Sequence, residues 1–359
     1  MKILLVRSTA NELRSESYNV QEIGLAKALS SLGHECSVLF WTKGRASEEK
    51  IGNVRVYRRR AFALLGCALF DEDDLMRQAD IIQANEYSQA ESFRLVGRYP
   101  QKMVLYHGPY STKADGRYRP LAAIADKLYV PRYIRRNTKF IAKSPLAASF
   151  LRQRKIERVF PLGVGLDETP FLSLPARKSN SSPHLLYVGS LQKRRNIPFI
   201  LQTAAVLKAH YPDFTLTLCG AGKPDYEEAC AELIRKLGLG DRVIRRGKVT
   251  QAELSSLYAE SDFFLLPTSY EIFGMVLLES MYCGVVPITT YAGGSAMLVR
   301  DGENGFLPPF TPEAWAERIA ATFADEKKLL AMRQAAKSTV ENGFLWQKLA
   351  PSFVKVYEC

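Results

Sequence analysis

Apolar and polar positions alternate along the chain in short segments that predict strands and helices in turn. Residues 2–7 form an apolar run typical of a strand, residues 20–32 have the period of an amphipathic helix, and residues 35–40 predict the next strand. Further strands are predicted in the first half at residues 54–57, 81–83, 103–106 and 140–142. Strands that alternate with helices indicate parallel sheets covered by helices.

The same alternation starts again after a polar stretch at residues 175–183 that has a proline at each end. Strands are predicted there at residues 185–188, 215–219 and 242–245, and helices at residues 198–210, 226–237 and 251–259. We therefore expect an α/β protein with two Rossmann-like domains, at residues 1–174 and 175–344. Residues 345–357 predict an amphipathic terminal helix.

The length of 359 residues also favours two domains, because a domain usually has about 100 to 200 residues. No apolar run reaches the roughly 20 residues that cross a bilayer, and the opening MKILLV is too short for a signal peptide. The six cysteines contain no CxxC pair and the four histidines no HxxxH pair, so we expect neither a disulfide framework nor a zinc site. These features predict a cytoplasmic protein.

Charge is unevenly distributed along the chain. The formal net charge is +12, and residues 1–165 account for all of it, with 28 lysines and arginines against 16 acidic residues. Between positions 113 and 158, thirteen basic residues stand against three acidic ones and are interleaved with aromatic residues such as Tyr129, Tyr133 and Phe140. This excess predicts an anionic partner, which is a membrane surface, a phosphate-bearing substrate or a nucleic acid, or else a solvated basic surface.

Two glutamates eight positions apart carry the most specific chemistry. Residues 261–267 (SDFFLLP) predict a buried parallel strand, Gly274 permits close backbone approach, and residues 275–282 can form a helix. The N-terminus of a helix that follows a strand offers unpaired N–H groups and a partial positive charge, which suits a phosphate. Glu271 lies in the loop, and Glu279 lies about 7 Å along the helix from Gly274. With a diphosphate bound at the helix N-terminus, one carboxylate could reach the ribose while the other stays near the far end of the diphosphate. The spacing of the two glutamates therefore fits a nucleotide diphosphate sugar.

This Glu-x7-Glu stretch resembles the signature of the family-4 glycosyltransferases, which are retaining enzymes of the GT-B fold. The surrounding motifs follow the order of the family's donor domain: Gly189-Ser190-Leu191 with Lys193, Arg194 and Arg195, then Cys219-Gly220-Ala221-Gly222, and after the glutamates Cys283-Gly284-Val285-Val286-Pro287, Gly293-Gly294 and Asp301-Gly302. The resemblance implies two Rossmann-like domains that face each other across a cleft. It also implies that a last helix, at about residues 345–359, packs back on the first domain.

The resemblance further implies roles for residues of the donor domain. Arg195, beside Arg194, corresponds to a cation on the donor diphosphate and is assigned a catalytic role, since negative charge develops on the leaving nucleotide. Glu271 corresponds to the catalytic residue that approaches the sugar, and Glu279 to the one that binds ribose hydroxyls. Arg194 and Glu279 are candidates for donor binding. The other donor-binding candidates are Gly220, Val249, Phe273, Gly274, Met275 and Val276.

Candidates for the acceptor side lie in the first domain. His107 follows a predicted strand and corresponds to a family histidine near the reacting sugar, so it is assigned a catalytic role. Lys143 lies at the end of another predicted strand. Asn19 is the nearest polar candidate in the loop after the first strand, where many relatives carry a Gly-Gly pair that this chain lacks.

An acidic run at residues 71–74 (DEDD) could be mistaken for the metal-binding DxD motif of the other large glycosyltransferase fold. It precedes a helical segment, and carboxylates are favoured at the N-terminus of a helix. The family that the sequence resembles does not need a protein-held metal, so we expect no metal and no cofactor.

The sequence therefore predicts a retaining hexosyltransferase that uses a nucleotide diphosphate sugar, with UDP favoured over GDP. The expected acceptor is a lipid-linked saccharide or glycolipid in cell-surface polysaccharide assembly. We expect a peripheral protein on the anionic inner face of the cytoplasmic membrane, without nucleic acid as a partner. Two alternatives stay open: a GT-B nucleotide-sugar epimerase, and a non-catalytic module that binds anionic membranes or nucleic acid. A Rossmann dehydrogenase is disfavoured because no GxGxxG follows the first strand.

Overall fold

A computed structural model describes residues 1–13, 20–64, 66–111, 113–114, 117–118, 123–176 and 179–359 of the chain. The chain divides into two compact units, each with its own sheet. Unit 1 contains Met1–Asp167 and Leu345–Cys359, and unit 2 contains Glu168–Phe344. Among the described residues, no helix combines the length and the apolar character that are needed to cross a membrane.

Unit 1 is built on a sheet of eight strands within its described part. Its strands, including two short hairpins, are β1 (Lys2–Val6), β2 (Glu35–Trp41), β3 (Ser47–Ile51), β4 (Val54–Arg59), β5 (Phe62–Leu64), β6 (Cys67–Leu69), β7 (Ile81–Asn85), β8 (Met103–His107), β9 (Lys113–Ala114), β10 (Arg117–Tyr118), β11 (Lys139–Ala142) and β12 (Val159–Pro161). The order in the main sheet is β12-β11-β8-β7-β1-β2-β4-β3. All of its pairings are parallel except that of β3 with β4.

Helices connect these strands and cover the sheet. They are α1 (Gln21–Ser31), α2 (Asp73–Gln78), α3 (Ala90–Arg98), α4 (Val130–Arg135), which follows a π-helical turn at Ala125–Tyr129, and α5 (Pro145–Arg152). The central strand β1 is a continuous apolar run because both of its faces are covered, and Ile3, Leu4, Leu5 and Val6 are buried. Parallel register places Asn85 opposite Tyr106 and Ala142 opposite His107, so the carboxyl ends of β7, β8 and β11 lie side by side.

Unit 2 has a five-stranded sheet in which every pairing is parallel. Its strands are β13 (His184–Val188), β14 (Thr215–Cys219), β15 (Val243–Arg246), β16 (Phe263–Leu266) and β17 (Val286–Thr289). Its helices are α6 (Ile197–Leu207), α7 (Pro224–Lys236), α8 (Gln251–Glu260), α9 (Met275–Tyr282), α10 (Ser295–Leu298), α11 (Pro312–Phe323) and α12 (Glu326–Gly343). The order β15-β14-β13-β16-β17 reverses direction between β13 and β16, and such a switch point is where open α/β sheets bind ligands.

The last helix, α13 (Trp346–Glu358), belongs to unit 1. Its Trp346 is buried between Gly24 of α1 and Gly165, where a β-carbon would lie 2.3 Å and 2.4 Å, respectively, from the indole ring. Near the end of the helix, the Tyr357 hydroxyl donates to Gln83 Oε1 at 2.8 Å. The absence of side chains at the two glycines therefore allows the indole to pack directly against backbone.

Candidate active site

The donor-site candidates lie at the carboxyl edge of the unit 2 sheet, in the loops that follow its strands. Arg194 and Arg195 are in the 3-10 turn Lys193–Arg195 after β13, and Glu271 is in the loop after β16. Because β13 and β16 are neighbours, the sheet brings these two loops together. The structure thus assembles at one place residues that are more than 70 positions apart in the sequence.

Arg195 and Glu271 form an ion pair between Arg195 Nη1 and Glu271 Oε2. Only 10% of the arginine side chain and 15% of the glutamate side chain are exposed, so the pair is largely removed from water. Arg194 Nη1 lies 3.8 Å from the same carboxylate oxygen and donates to Tyr270 O at 2.9 Å. In the described part of the chain, the buried Nε of Arg195 has no hydrogen-bond partner. Arg195 therefore has a buried hydrogen-bond donor, its Nε–H, that the ion pair does not use.

Hydrogen bonds to backbone carbonyl oxygens hold the two loops in place. Asn196 adopts a left-handed backbone conformation with φ 50°, and its Nδ2 donates to Pro267 O at 2.6 Å. Ser269 N donates to Arg194 O at 3.0 Å. These bonds fix the turn that carries the arginines against the loop that carries Glu271.

The N-terminus of α9 follows Glu271 directly. Gly274 precedes the helix with φ 88°, a conformation that favours glycine, and Leu277 N and Leu278 N both donate to Gly274 O. The N–H groups of Met275 and Val276 therefore come before the helical hydrogen-bond ladder. These two residues are half-buried, and Phe273 is buried. The four donor-binding candidates from Phe273 to Val276 thus form a helix N-terminus that can bind a phosphate group.

Glu279 lies inside α9 and is only 2% exposed. The Tyr258 hydroxyl donates to Glu279 Oε2 at 3.1 Å, so the carboxylate is oriented by a side chain of α8. A buried carboxylate is uncommon without hydrogen-bond partners or a charged ligand. The position is not that of a solvent-facing helix residue.

Gly220 and Val249 lie in two neighbouring loops at the same sheet edge. Gly220 has φ 137°, its N–H donates to Arg246 O at 3.0 Å, and a β-carbon there would lie 1.9 Å from Gly189 O. Val249 is half-buried in the loop that leads from β15 to the helix cap at Thr250. The backbones of Gly220 and Gly189 therefore pack directly against each other, and any side chain at position 220 would prevent this contact.

Gly293 and Gly294 pack directly against the backbone of the loop that carries Glu271. A β-carbon at Gly293, which has φ 48°, would lie 1.8 Å from Glu271 O. A β-carbon at Gly294 would lie 2.1 Å from Phe273 O. The Gly293-Gly294 pair thus has a structural role next to the site.

We expect the Gly293→Ala variant to melt at a lower temperature and to bind nucleotide more weakly than the wild type. The new methyl group would displace the loop that carries Glu271, and a side chain in this backbone region costs about 1 to 3 kcal/mol before any clash. The control is Gly240→Ala, because a β-carbon at Gly240 meets only open space. Scanning fluorimetry with and without UDP measures both effects, and equal results for the two variants would contradict the role of Gly293.

In unit 1, a polar pocket with a volume of about 290 Å³ lies at the carboxyl edge of the sheet. Its described lining residues come from the ends of β1, β7 and β11 and from the start of α1: Arg7, Thr9, Leu13, Val20, Gln21, Glu22, Asn85, Glu86, Gln89 and Lys143. We refer to these residues as the unit 1 pocket. Lys143, an acceptor candidate, is therefore part of a ligand-sized cavity, whereas Asn19 lies outside the described residues.

Charges in the unit 1 pocket are arranged in pairs. Arg7 Nη1 lies 3.2 Å from Glu22 Oε2, and Asn85 Nδ2 donates to Glu22 Oε1 at 2.8 Å. Burial alone would raise the pKa of Glu22, but Arg7 and Asn85 lower it by more, so the pKa of this carboxyl lies below its usual value. Lys143 Nζ lies 4.0 Å from Glu86 Oε1. Each of the two cations that line the described pocket therefore has a carboxylate beside it.

His107 is completely buried behind Glu86. Its Nδ1 lies 2.8 Å from Glu86 Oε2, and its ring is flanked by Tyr87 and Phe150 at centroid distances of 5.1 Å and 5.8 Å. Burial raises the pKa of Glu86, but His107 and Lys143 lower it by more. Glu86 is 19% exposed and lines the pocket, so it is the group of this pair that can reach a ligand.

Glu86 was missed by the sequence analysis. It follows β7 directly and has a left-handed backbone with φ 59°. The signal that could have found it is its position shortly after a predicted strand, which is the signal that, beside the family resemblance, singled out His107. The two polar residues Asn85 and Glu86, directly after an apolar run, would have been sufficient to identify Glu86 as a candidate site residue.

The acidic run at residues 71–74 forms ion pairs and begins a helix. Glu72 pairs with Arg59 at 3.2 Å, Asp73 pairs with Arg98, and α2 begins at Asp73. Within the described ranges, no three histidine, cysteine, aspartate or glutamate side chains form a group that could hold a metal ion.

Comparison with known proteins finds a family match within unit 2. Residues 174–339 match the family model described as glycosyl transferases group 1. Over 234 residues, 61% of this chain, the protein is 28% identical to the D-inositol 3-phosphate glycosyltransferase of Paenarthrobacter aurescens and covers 57% of it. Over 182 residues, it is 30% identical to the N-acetyl-alpha-D-glucosaminyl L-malate synthase of Bacillus anthracis, which corresponds to 50% of this chain and 46% of that protein. The chain spans about half the length of the curated relatives it matches.

Solved structures share the fold over the whole chain. A sucrose-phosphate synthase from Thermosynechococcus elongatus has a TM-score of 0.74 at 20% identity, and the match covers 100% of this chain and 98% of that one. The Anabaena protein Alr3699/HepE, crystallised with UDP and glucose, has a TM-score of 0.71 at 19% identity, with 100% and 99% covered. The predicted GT-B fold is therefore confirmed, and within unit 2 residues 174–339 match the model of the group 1 glycosyl transferases.

Proposed function

We propose that the protein is a retaining hexosyltransferase of family 4 that moves a sugar from a UDP-sugar to a hydroxyl group of a lipid-linked saccharide or glycolipid. The observation that carries the proposal is the desolvated Arg195–Glu271 pair beside the N-terminus of α9, at the switch point of the unit 2 sheet. A guanidinium and a helix N-terminus suit a diphosphate, and a carboxylate suits sugar hydroxyls. UDP is favoured because the crystal structure of the Anabaena neighbour contains it.

The proposed reaction exchanges one bond at the anomeric carbon for another on the same face. As the bond to the phosphate oxygen breaks, negative charge develops on the nucleotide diphosphate. Arg195 and the N–H groups of Met275 and Val276 stabilise that charge. The acceptor oxygen forms the new bond, and its proton passes to the departing phosphate, so no separate protein base is required.

The unit 1 pocket supports an acceptor that is neutral and rich in hydroxyl groups. Its two cations, Arg7 and Lys143, are each beside a glutamate, so a phosphate would have to displace a carboxylate there. Glu22 and Glu86 are ionised acceptors for hydroxyl donors. The volume of about 290 Å³ is at the lower end of the range for small-molecule sites, which suits a single sugar ring. A pocket for an acceptor also favours transfer over epimerisation.

We expect Glu86→Gln to lower kcat/KM for the acceptor about 10- to 150-fold while UDP binding stays unchanged. The change removes the charged group that would accept a hydrogen bond from an acceptor hydroxyl, and a hydrogen bond to a charged group is worth about 1.5 to 3 kcal/mol. Steady-state kinetics at varied acceptor concentration measures the effect. Glu48→Gln is the control, since Glu48 is a surface carboxylate of the same unit that pairs with Arg59. Equal kinetics for the two variants would remove Glu86 from the acceptor site.

For the cellular setting, we propose cell-surface polysaccharide assembly at the inner face of the cytoplasmic membrane. The basic excess of residues 1–165 supports an anionic membrane as a partner.

The proposed function is tested by nucleotide binding and by turnover with a defined acceptor. UDP should raise the melting temperature more than GDP or ADP, because a ligand that binds only the folded state stabilises it. NMR of the product should show a retained anomeric configuration, and turnover should persist in EDTA, since Arg195 and the helix N-terminus supply the charge stabilisation. An inverted product would refute retention. Loss of turnover in EDTA that manganese restores would refute metal independence, and epimerised donor without acceptor would favour the epimerase.

A further inference from the structure

A wide groove between α3 and α4 on unit 1 is lined mainly by arginines. Its volume is about 720 Å³. The described lining residues are Phe93, Arg94, Gly97, Arg98, Arg132, Arg135 and Arg136. We call these residues the arginine groove. Two helices that are separated by more than 30 positions in the sequence thus place five guanidinium groups along one depression.

Three of the five guanidinium groups have no acidic partner among the described residues. Arg94 donates to both oxygens of Glu91 at 2.8 Å, and Arg98 pairs with Asp73. The arginines without such a partner are Arg132, Arg135 and Arg136. The groove therefore has an excess of positive charge that its own carboxylates do not neutralise.

Arg132 is held in place by aromatic packing. Its guanidinium lies 3.6 Å from the ring centroid of Phe93, and its Nη1 donates to Phe93 O at 3.3 Å. A β-carbon at Gly97 would lie 2.7 Å from the same Nη1, so the glycine makes room for the guanidinium. Arg132 forms a fixed wall of the groove, whereas Arg135 and Arg136 are exposed at its rim.

Three aliphatic side chains are exposed on the helical segment that carries Arg132 and Arg135. Ile124, Leu128 and Ile134 are 51%, 55% and 45% exposed, and they lie on the same helical segment as Arg132 and Arg135. Of the aromatic residues that are interleaved with this basic stretch, Tyr133 and Phe140 are buried in the core and are not part of this surface. The rings of Tyr133 and Phe140 pack against each other at a centroid distance of 5.6 Å.

The arginine groove lies away from the unit 1 pocket. Helix α3 begins after β7, at the carboxyl edge of the sheet, and runs about 12 Å from Ala90 to Arg98 toward the amino edge. Helix α4 ends shortly before β11 begins, which also places Arg135 at the amino edge. The groove is therefore separate from the proposed acceptor position.

We propose that the arginine groove, with Ile124, Leu128 and Ile134, is the surface by which unit 1 docks on an anionic lipid bilayer. Arginines bind the phosphates of lipid headgroups, and the aliphatic side chains enter the interfacial layer. A nucleic acid or a soluble phosphate would use the arginines but would leave the three aliphatic side chains in water. The inference rests on the proposed function in one respect, since a lipid-linked acceptor explains why the enzyme would need a membrane.

The test is co-sedimentation with vesicles of phosphatidylcholine alone and of phosphatidylcholine mixed with phosphatidylglycerol. Wild type should bind only the mixed vesicles, and binding should fall steeply with salt because the Debye length shrinks to about 3 Å at 1 M. One basic residue near an anionic surface contributes about fivefold to binding, so reversing Arg135 and Arg136 to glutamate should weaken binding at least about 100-fold. The variant Ile124→Ser with Leu128→Ser should weaken binding about tenfold or more.

The matched control reverses two exposed charges elsewhere, Lys327→Glu with Lys328→Glu in α12. It has the same net charge as the arginine variant and should bind the mixed vesicles like the wild type. An equal loss in the control would show that only net charge matters and would overturn the assignment. Wild type that ignores mixed vesicles at low salt, or serine variants that bind like the wild type, would also overturn it.

Two further measurements separate this inference from the proposed function. The melting-temperature shift with UDP should be the same in wild type and in the arginine variant, because the groove belongs to unit 1 and the donor candidates belong to unit 2. If UDP fails to stabilise the wild type while mixed vesicles still bind, the proposed function is wrong and the docking surface stands. Tight binding of RNA at physiological salt that competes with the vesicles would assign the groove to nucleic acid and overturn the docking proposal.

Discussion

Replacing Arg195 with alanine should lower kcat about 100- to 1,000-fold, which is the typical effect of removing one preorganised donor from a site where negative charge develops. Arg195 is only 10% exposed, its Nη1 is paired with Glu271, and its buried Nε has no hydrogen-bond partner in the described chain. A diphosphate that enters this site can therefore compete for Nη1 and take the free Nε–H. Single-turnover kinetics with saturating donor separates this loss from weaker donor binding.

Two variants make the result specific. Arg195→Lys keeps the charge but loses the planar set of donors, so it should recover only part of the rate. Arg242→Ala removes an arginine of the same unit that pairs with Asp213 on the surface, and it should leave kcat unchanged. If Arg195→Ala retains kcat within about twofold of the wild type, the charge stabilisation lies elsewhere. Melting temperatures show whether any variant has lost its fold.

The sequence predicts the parallel core well because buried strands and helices have strong local signals. The strand at residues 215–219 and the helix at residues 275–282 have the predicted bounds. Parallel strands covered on both faces are continuous apolar runs, and Gly274 marks the start of the helix that follows β16. The donor-site loops could be placed for the same reason, since each one follows such a strand.

Strand β3 shows where local signals are insufficient. Its sequence SEEKI has neither an apolar run nor an alternation, and almost all of it is exposed. It is a strand only because it pairs with β4 at the edge of the sheet. Charged residues at such an edge protect it against pairing with other chains.

The chemistry of the unit 1 pocket depends on contacts that the sequence does not reveal. His107 was selected as a catalytic residue from its resemblance to a family histidine and from its strand-end position, but its burial by Tyr87 and Phe150 depends on elements that are distant in sequence. The exposure of Glu86 depends on a left-handed backbone at a residue other than glycine. Its pairing with His107 requires the register between β7 and β8. A single sequence can therefore suggest the sheet edge but not which side chain there is accessible.

The two glutamates of unit 2 should differ in their effect on nucleotide binding. Glu279→Gln should weaken UDP binding about 10- to 150-fold, because a hydrogen bond to a charged group contributes about 1.5 to 3 kcal/mol. Glu271→Gln should bind UDP at least as tightly as the wild type, since the carboxylate that competes with the diphosphate for Arg195 is neutralised. Its turnover with the complete donor should nevertheless fall, because Glu271 is proposed to contact the sugar. Calorimetry with UDP and kinetics with the UDP-sugar measure the two effects.

The control for Glu279 is Tyr258→Phe. That change removes the hydroxyl that donates to Glu279 Oε2 at 3.1 Å but leaves the carboxylate in its buried position. If Glu279 binds the ribose directly, Tyr258→Phe should weaken UDP binding much less than Glu279→Gln does. If the two variants weaken UDP binding equally, the carboxylate serves to pack α8 against α9 and not to bind the nucleotide. If both glutamate variants bind UDP and turn over like the wild type, the division of the site into a sugar side and a ribose side is wrong.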